Sequence, residues 1–111
     1  MSDRTIMWYP VAQLDELNQI QPKRVEADGE PFVLFRDGET VYCLRDVCSH
    51  AEVPLSGGVY DRRSKQVTCP QHGARFDIIS GKALSMPAVT PVQAVPVQIV
   101  NGVIEIQVDD F

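Results

Sequence analysis

Cysteine and histidine lie together at two places in this sequence. Cys48 precedes His50 by two residues, and Cys69 precedes His72 by three, with residues 51–68 between the two pairs. The pairs take both histidines of the chain and all but one of its 3 cysteines. Because thiolates and imidazoles are common ligands of iron and zinc, two matched pairs predict one shared metal site.

The spacing of the second pair predicts a loop. On an extended strand, residues i and i+2 share a face, whereas residues i and i+3 point to opposite faces. Cys48 and His50 could therefore face one way on a strand, but Cys69 and His72 could not. We expect at least the second pair to lie on a bent loop tip. Two such loops, side by side, could each supply one sulfur and one nitrogen ligand.

Length and charge narrow the class of protein. With 111 residues there is room for one domain, and a formal net charge of -5 argues against a nucleic-acid partner, which needs a basic surface. No apolar run approaches the ~20 residues of a membrane span. The first ten residues contain Asp3 beside Arg4 and do not read as a secretion signal. We therefore expect a cytoplasmic protein that binds neither nucleic acid nor membrane.

The third cysteine, Cys43, lies in a β-like run and is expected to be a small packed side chain.

Short strands separated by turn signals predict an all-β sandwich or barrel. Asp37-Gly38 and Asn101-Gly102 each predict a tight hairpin. The first strand is expected at residues 5–9, ended by Pro10, with about one turn of helix following within residues 11–17. The remaining strands are expected at residues 23–27, 32–35, 40–44, 59–60, 66–68, 75–78, 92–100 and 103–108.

The two pairs resemble the signature of Rieske iron–sulfur proteins, C-x-H followed by C-x-x-H. The strings LSGG at residues 55–58 and CPQHGARFD at residues 69–77 strengthen the likeness. The resemblance implies a Rieske-type fold of antiparallel β-sheets across a single domain, residues 1–111. In that fold a sandwich or barrel base carries a small cluster-binding subdomain, approximately residues 46–78, made of two ligand loops.

The same resemblance implies one Rieske-type [2Fe–2S] cluster. Cys48 and Cys69 would bind one iron, and His50 and His72 would bind the other. Neutral imidazoles place less negative charge around the cluster than thiolates do, so they make reduction easier.

High-potential members of this family carry an extra cysteine in each ligand loop and a serine after the His-Gly pair. The corresponding residues here are Val53, Gln71 and Ala74. The resemblance therefore implies that no disulfide joins the loops and that no hydroxyl donates to the cluster at that position. We expect a midpoint potential below zero, in the lower part of the range of about −150 to +300 mV for Rieske centres.

Ferredoxins of this kind carry electrons to ring-hydroxylating dioxygenases. The resemblance implies a soluble one-electron carrier, not itself an enzyme, that takes electrons from an NAD(P)H-dependent flavoprotein reductase. It would pass them to a terminal Rieske non-heme iron oxygenase in aromatic hydrocarbon catabolism, through transient contacts. A third loop, residues 85–88, matches a family feature that covers the cluster. Docking is expected at the rims of these loops, at Ala51, Glu52, Val53, Pro54, Gln71, Met86 and Pro87.

Three alternatives stay open at this point. Zinc also binds two cysteines and two histidines in closed structural sites, which would make the chain an interaction module without a redox role. The chain could also retain the fold without a cluster. Finally, similar small Rieske-like proteins accompany assimilatory nitrite reductase, so the chain could be a small subunit of an enzyme of that type.

Overall fold

The computed structural model describes residues 7–48, 53–71, 73–86 and 90–108, and the regular secondary structure of this part of the chain is almost entirely antiparallel strand. The predicted all-β class is confirmed. Two short 3-10 helices occur at Leu14–Glu16 and Leu55–Gly57. The strands are β1 Met7–Gln13, β2 Lys23–Ala27, β3 Glu30–Asp37, β4 Thr40–Arg45, β5 Val59–Asp61, β6 Gln66–Thr68, β7 Arg75–Asp77, β8 Ala94–Val95, β9 Val97–Val100 and β10 Val103–Val108.

The described strands form a central sheet with a smaller sheet on each side. The central sheet has the order β2-β3-β4-β8, the base sheet β1-β10-β9, and the loop sheet β5-β6-β7. The segments joining β4 to β5 and β6 to β7 contain the predicted ligand pairs, so the loop sheet carries both of them. Within the described residues, no helix has the length and apolar character that crossing a membrane requires.

Strand β3 is buried on both faces because it lies between two hydrophobic cores. Side chains alternate between the faces of a strand. Phe32 and Leu34 therefore pack in one core with residues of the base sheet, whereas Val33 and Phe35 pack in the other with residues of the loop sheet. A continuous apolar run is what a strand in such a middle layer requires.

Both predicted hairpins are confirmed. Asn101 and Gly102 have φ angles of 52° and 79°, which place both residues in the left-handed region that a tight two-residue turn needs. Gly38 is also left-handed, with a φ of 65°, and Asp37 pairs with Thr40 across that turn. These turns fix the register of β3 with β4 and of β9 with β10.

The predicted end of the first strand at Pro10 was wrong. Strand β1 continues through Pro10 to Gln13, so that part of the predicted helical turn is extended and only Leu14–Glu16 is helical. Pro10 is tolerated because β1 lies at the edge of the base sheet, where a missing N–H need not interrupt the ladder. A register shift between Pro10 and Ala12 accommodates the irregularity.

The single strand predicted at residues 92–100 is two strands in two sheets. β8 pairs with β4 in the central sheet, whereas β9 pairs with β10 in the base sheet. Pro96 separates them, and its carbonyl accepts a hydrogen bond from the backbone N–H of Gln107 at 3.0 Å. Because proline has no N–H to donate, it marks the point where the chain leaves one ladder for the other.

Tyr60 joins the loop sheet to the central sheet. Its ring meets that of Phe35 edge to face, with 5.2 Å between centroids, and its hydroxyl donates to the carbonyl of Arg36 at 2.8 Å. Burial raises the pKa of Tyr60 to about 12, and the charge of Asp37 adds to the rise. The phenol therefore stays protonated and bonded at neutral pH.

We expect Tyr60→Phe to lower the free energy of unfolding by about 1 kcal/mol at pH 7, the typical net value of one hydrogen bond. The folded pKa lies above the ordinary value of about 10, so the contribution of the phenol is complete below pH ~10 and falls as pH rises towards 12. Urea denaturation of both proteins at several pH values measures this. A wild-type advantage that stays constant up to pH 12 would contradict the assignment.

Candidate metal centre

Cys48 and Cys69 are buried in the core between the central sheet and the loop sheet. Cys48 follows β4, and Cys69 comes directly after β6. Each is only 1% exposed, and both pack in the apolar cluster that contains Leu44, Leu55 and Phe76. The two sequence positions predicted to supply sulfur are therefore in one core. The predicted nitrogen ligands, His50 and His72, lie outside the described residues.

The two ligand loops are closed by the same backbone contact. The N–H of Cys48 donates to the carbonyl of Val53 at 2.8 Å, and the N–H of Cys69 donates to the carbonyl of Ala74 at 2.7 Å. Each bond spans, in sequence, a segment that contains one of the predicted histidines. The N–H of Gln71 also lies close enough to the Cys69 sulfur to influence its ionisation.

The two thiols contact each other. Burial raises the pKa of the Cys69 thiol, the backbone N–H of Gln71 opposes this rise, and the neighbouring Cys48 thiol adds to it. Two adjacent thiolates in an apolar core repel each other unless a cation lies between them. A coordinated metal supplies that charge and deprotonates its thiol ligands. The donor set of this core therefore fits an iron bound by two cysteines.

Gly58 brings the end of the first ligand loop against the start of the second. A Cβ at position 58 would lie 2.0 Å from the carbonyl oxygen of Thr68, the residue before Cys69. No side chain fits in that space, so the close approach of the two backbones requires glycine. The LSGG string therefore has a steric role at Gly58, whereas a Cβ at Gly57 meets only Pro70, at 3.9 Å.

The start of the predicted third loop packs alongside β7. The hydroxyl of Ser85 accepts a hydrogen bond from the N–H of Arg75 at 3.0 Å, and the N–H of Leu84 donates to the carbonyl of Arg75 at 2.8 Å. Met86, which follows, is 74% exposed. Pro87 and Ala88, the rest of this loop, are outside the described residues.

The other predicted positions differ in burial. Val53 is half-buried against the thiol-containing core, Pro54 and Gln71 are exposed, and Ala74 is fully buried. Ala51 and Glu52 lie outside the described residues. The third cysteine, Cys43, is in the other core, where burial raises the pKa of its thiol and it packs as a small apolar side chain, as expected.

Sequence reasoning missed Asp46. This carboxylate is buried close to Cys48 in the chain and accepts hydrogen bonds from Ser56 and Arg24. The sequence carried a weak signal, an aspartate between a β-strand and a ligand pair, but nothing in it showed the residue to be buried.

Comparison with known proteins decides which family has this core. A family model described as the Rieske [2Fe-2S] domain matches residues 7–96. The chain belongs to the Rieske [2Fe–2S] domain family. The anthranilate 1,2-dioxygenase ferredoxin subunit of Burkholderia cepacia is 32% identical over 109 residues, which are 97% of this chain and 99% of that protein.

Two solved structures show the same fold. The ferredoxin of carbazole 1,9a-dioxygenase from Nocardioides aromaticivorans IC177 is 36% identical, with a TM-score of 0.87 over 90% of this chain and 96% of that one. A complex of reduced oxygenase and oxidized ferredoxin in carbazole 1,9a-dioxygenase contains a chain that is 26% identical, with a TM-score of 0.85. That match covers 94% of this chain and 95% of the other.

Membership of this family identifies the cofactor. The chain carries one Rieske-type [2Fe–2S] cluster, as expected, and the buried thiol pair fits one half of it. When bound, such a cluster accepts and releases a single electron. The protein is therefore an electron-transfer ferredoxin and not a catalytic subunit. Neither the zinc alternative nor the cluster-free alternative agrees with this result.

We expect Gly58→Ala to lower both cluster content and stability. The added methyl group would overlap the Thr68 carbonyl, and such overpacking costs about 1–3 kcal/mol. Gly57→Ala is the matched control, because its methyl group makes only an ordinary contact. Iron and acid-labile sulfide per chain, together with thermal unfolding, measure the effect. Full cluster content in Gly58→Ala would show that the loops do not need this close approach.

Proposed function

We propose that Cys48 and Cys69 bind one iron of the cluster and that His50 and His72 bind the other. The buried contact between the two thiols supports the first half of this assignment. For the histidines, the support is their place in the C-x-H and C-x-x-H signature. We further propose that residues 1–111 act as one domain, with residues 46–78 as its cluster-binding part.

We infer that the protein takes electrons from an NAD(P)H-dependent flavoprotein reductase in the cytoplasm. It passes them, one at a time, to a terminal Rieske non-heme iron oxygenase that hydroxylates an aromatic ring. The observation that carries this proposal is the match, over almost the whole chain, to ferredoxins of dioxygenase systems, one of them in a complex with its oxygenase.

The burial of the two cysteines suits a carrier that exchanges electrons only on the opposite side of its cluster. The thiol side of the site is closed to solvent, since both cysteines are 1% exposed within the core. With four ligands supplied by protein, the cluster would keep no open position for a substrate. Exchange would then take place through the imidazole side at the loop tips, where surface loops are free to meet a partner.

A reconstituted system tests the proposal. The purified protein is mixed with NADH and with the flavoprotein reductase and terminal oxygenase of a dioxygenase system whose own ferredoxin is left out. Hydroxylated product should appear only when the protein is present and should be lost in Cys69→Ser and His72→Ala. A colourless zinc protein, or co-purification with a siroheme nitrite reductase in place of an oxygenase, would contradict it.

We expect a midpoint potential below zero, and we expect Ala74→Ser to raise it. Ala74 is fully buried in the core that holds Cys69, and its carbonyl accepts the N–H of Cys69 at 2.7 Å. By the family resemblance, a serine hydroxyl at this position would donate to a cluster sulfur. Its donation to a sulfur stabilises the reduced, more negative state. One hydrogen bond of about 1.4 kcal/mol corresponds to a rise of about 60 mV.

Ala83→Ser is the control for this potential, because Ala83 packs against the same core but bridges to Phe76 and not to a ligand. A redox titration of the three proteins measures the midpoints. Two results would refute the prediction: a wild-type midpoint above about +100 mV, in the upper Rieske range, or an unchanged midpoint in Ala74→Ser with the cluster intact.

We expect Met86→Ala to slow electron transfer to the oxygenase. Met86 is 74% exposed beside the segment that packs on β7, and an exposed apolar side chain near the ligand loops suits a brief docking contact. Loss of about 1 kcal/mol of binding would lower the second-order rate by about fivefold.

Met7→Ala is the matched control for docking, because Met7 is 47% exposed on the base sheet, with the central sheet between it and the ligand loops. Stopped-flow oxidation of the reduced protein by the oxygenase gives the rates, and the midpoint potential should not change in either variant. Equal rates for the two variants would remove Met86 from the docking surface.

A further inference from the structure

The structure buries the carboxylate of Asp46 almost without exposure. Its side chain is 0% exposed, and among the described residues it is the charged residue that the fold buries. The carboxylate accepts the N–H of Ser56 at 2.7 Å, the hydroxyl of Ser56 at 2.7 Å and the guanidinium of Arg24 at 2.9 Å. Burying a carboxylate is unfavourable unless every such bond is made, so its retention needs an explanation.

These contacts connect the two ends of the first ligand loop. Asp46 lies between the end of β4 and Cys48, whereas Ser56 lies in the 3-10 helix that ends the loop. Arg24 belongs to β2, and the N–H of Asp46 donates to the carbonyl of Pro31 at 3.1 Å. The start of the loop is therefore fixed to the central sheet by main chain and side chain, and the end of the loop is fixed to the start.

Only a carboxylate satisfies all three donors. The Oδ1 atom accepts the backbone N–H of Ser56, and Oδ2 accepts both the Ser56 hydroxyl and Arg24. An asparagine has one acceptor oxygen, and its amide group would face a donor. An apolar side chain would leave the Ser56 N–H and the guanidinium without this partner. The chemistry of the residue, and not only its volume, holds the loop closed.

We propose that Asp46 is a positioning residue for the cluster: it ties Ser56 and Arg24 to the start of the first ligand loop and so holds Cys48 beside Cys69. This inference rests on the proposed role of Cys48 as an iron ligand. With both ends of its loop fixed, Cys48 would be held in the place from which its sulfur can bind iron. Without the carboxylate, the two ends of the loop would lose these hydrogen bonds, and the Cys48 sulfur would be held less firmly beside Cys69.

Asp46→Asn tests this with a side chain of the same size. We expect the variant to lose its visible absorbance about tenfold faster than the wild type in the presence of an iron chelator, which is the lower end of the effect that residues supporting metal ligands have on metal affinity. The paramagnetic spectrum of the reduced protein should broaden, because Cys48 then occupies more than one position. Ser56→Ala, which removes one of the three donors, should have a smaller effect in the same direction.

Two controls separate positioning from general stability. Glu30→Gln breaks the Arg45–Glu30 ion pair, which lies on the same sheet, is partly exposed and shares no hydrogen bond with the Asp46 side chain. Val25→Ala removes core volume on β2, next to Arg24. It destabilises the core between the central sheet and the base sheet, which contains no residue of the first ligand loop. Both controls should keep the wild-type loss rate and spectrum, even where Val25→Ala lowers the unfolding temperature.

The outcomes separate this inference from the proposed function. If Asp46→Asn keeps the wild-type loss rate and line shape while Cys48→Ser loses the cluster, Asp46 has no positioning role and the ligand assignment stands. If Cys48→Ser retains a normal cluster, the ligand assignment itself fails. Should Asp46→Asn not fold, Ser56→Ala and Arg24→Met decide: wild-type loss rates in both would overturn the inference, and faster loss in both would support it.

Discussion

Two thiols buried against each other set the main constraint on this structure. Cys48 and Cys69 come from separate loops, yet both lie in the core between the central sheet and the loop sheet. Burial raises the pKa of the Cys69 thiol, and the neighbouring Cys48 thiol adds to the rise. Such a pair is unfavourable as two thiolates and becomes favourable once a cation binds between them. The surrounding fold must therefore hold both cysteines in place.

The central sheet can support the buried cysteines because it is packed on both faces. One face of β3 completes the base core, and the other supplies Val33 and Phe35 to the core that contains the cysteines. The loop sheet is small, with strands only 3 residues long, and its buried side chains pack in the core that it shares with the central sheet. It depends on the contacts of Tyr60 with Phe35 and Arg36, and Asp46 ties the first ligand loop to the same support.

The misses of the sequence prediction have a common cause. The predicted strand end at Pro10 and the predicted single strand across Pro96 both rest on local chemistry, which says only that a proline donates no hydrogen bond. Pro10 lies within an edge strand and Pro96 separates strands of two different sheets, and both outcomes depend on which partner strand is present. Asp46 was missed for the same reason, since its donors are distant in sequence: Ser56 lies across the ligand loop, and Arg24 lies on another strand.

The sequence by itself determined the family, the all-β class, both hairpins and the residue types available as metal ligands. These features depend on short motifs and on backbone preferences at single positions. Asn101-Gly102 and the C-x-H and C-x-x-H pairs can be interpreted without knowledge of any contact. Only the tertiary structure decided that the two cysteines share one core, that Gly58 must lack a side chain, and that Asp46 is buried. Each of these depends on the packing of segments that are far apart in the chain, and burial, close approach and hydrogen-bond satisfaction arise only when such segments meet.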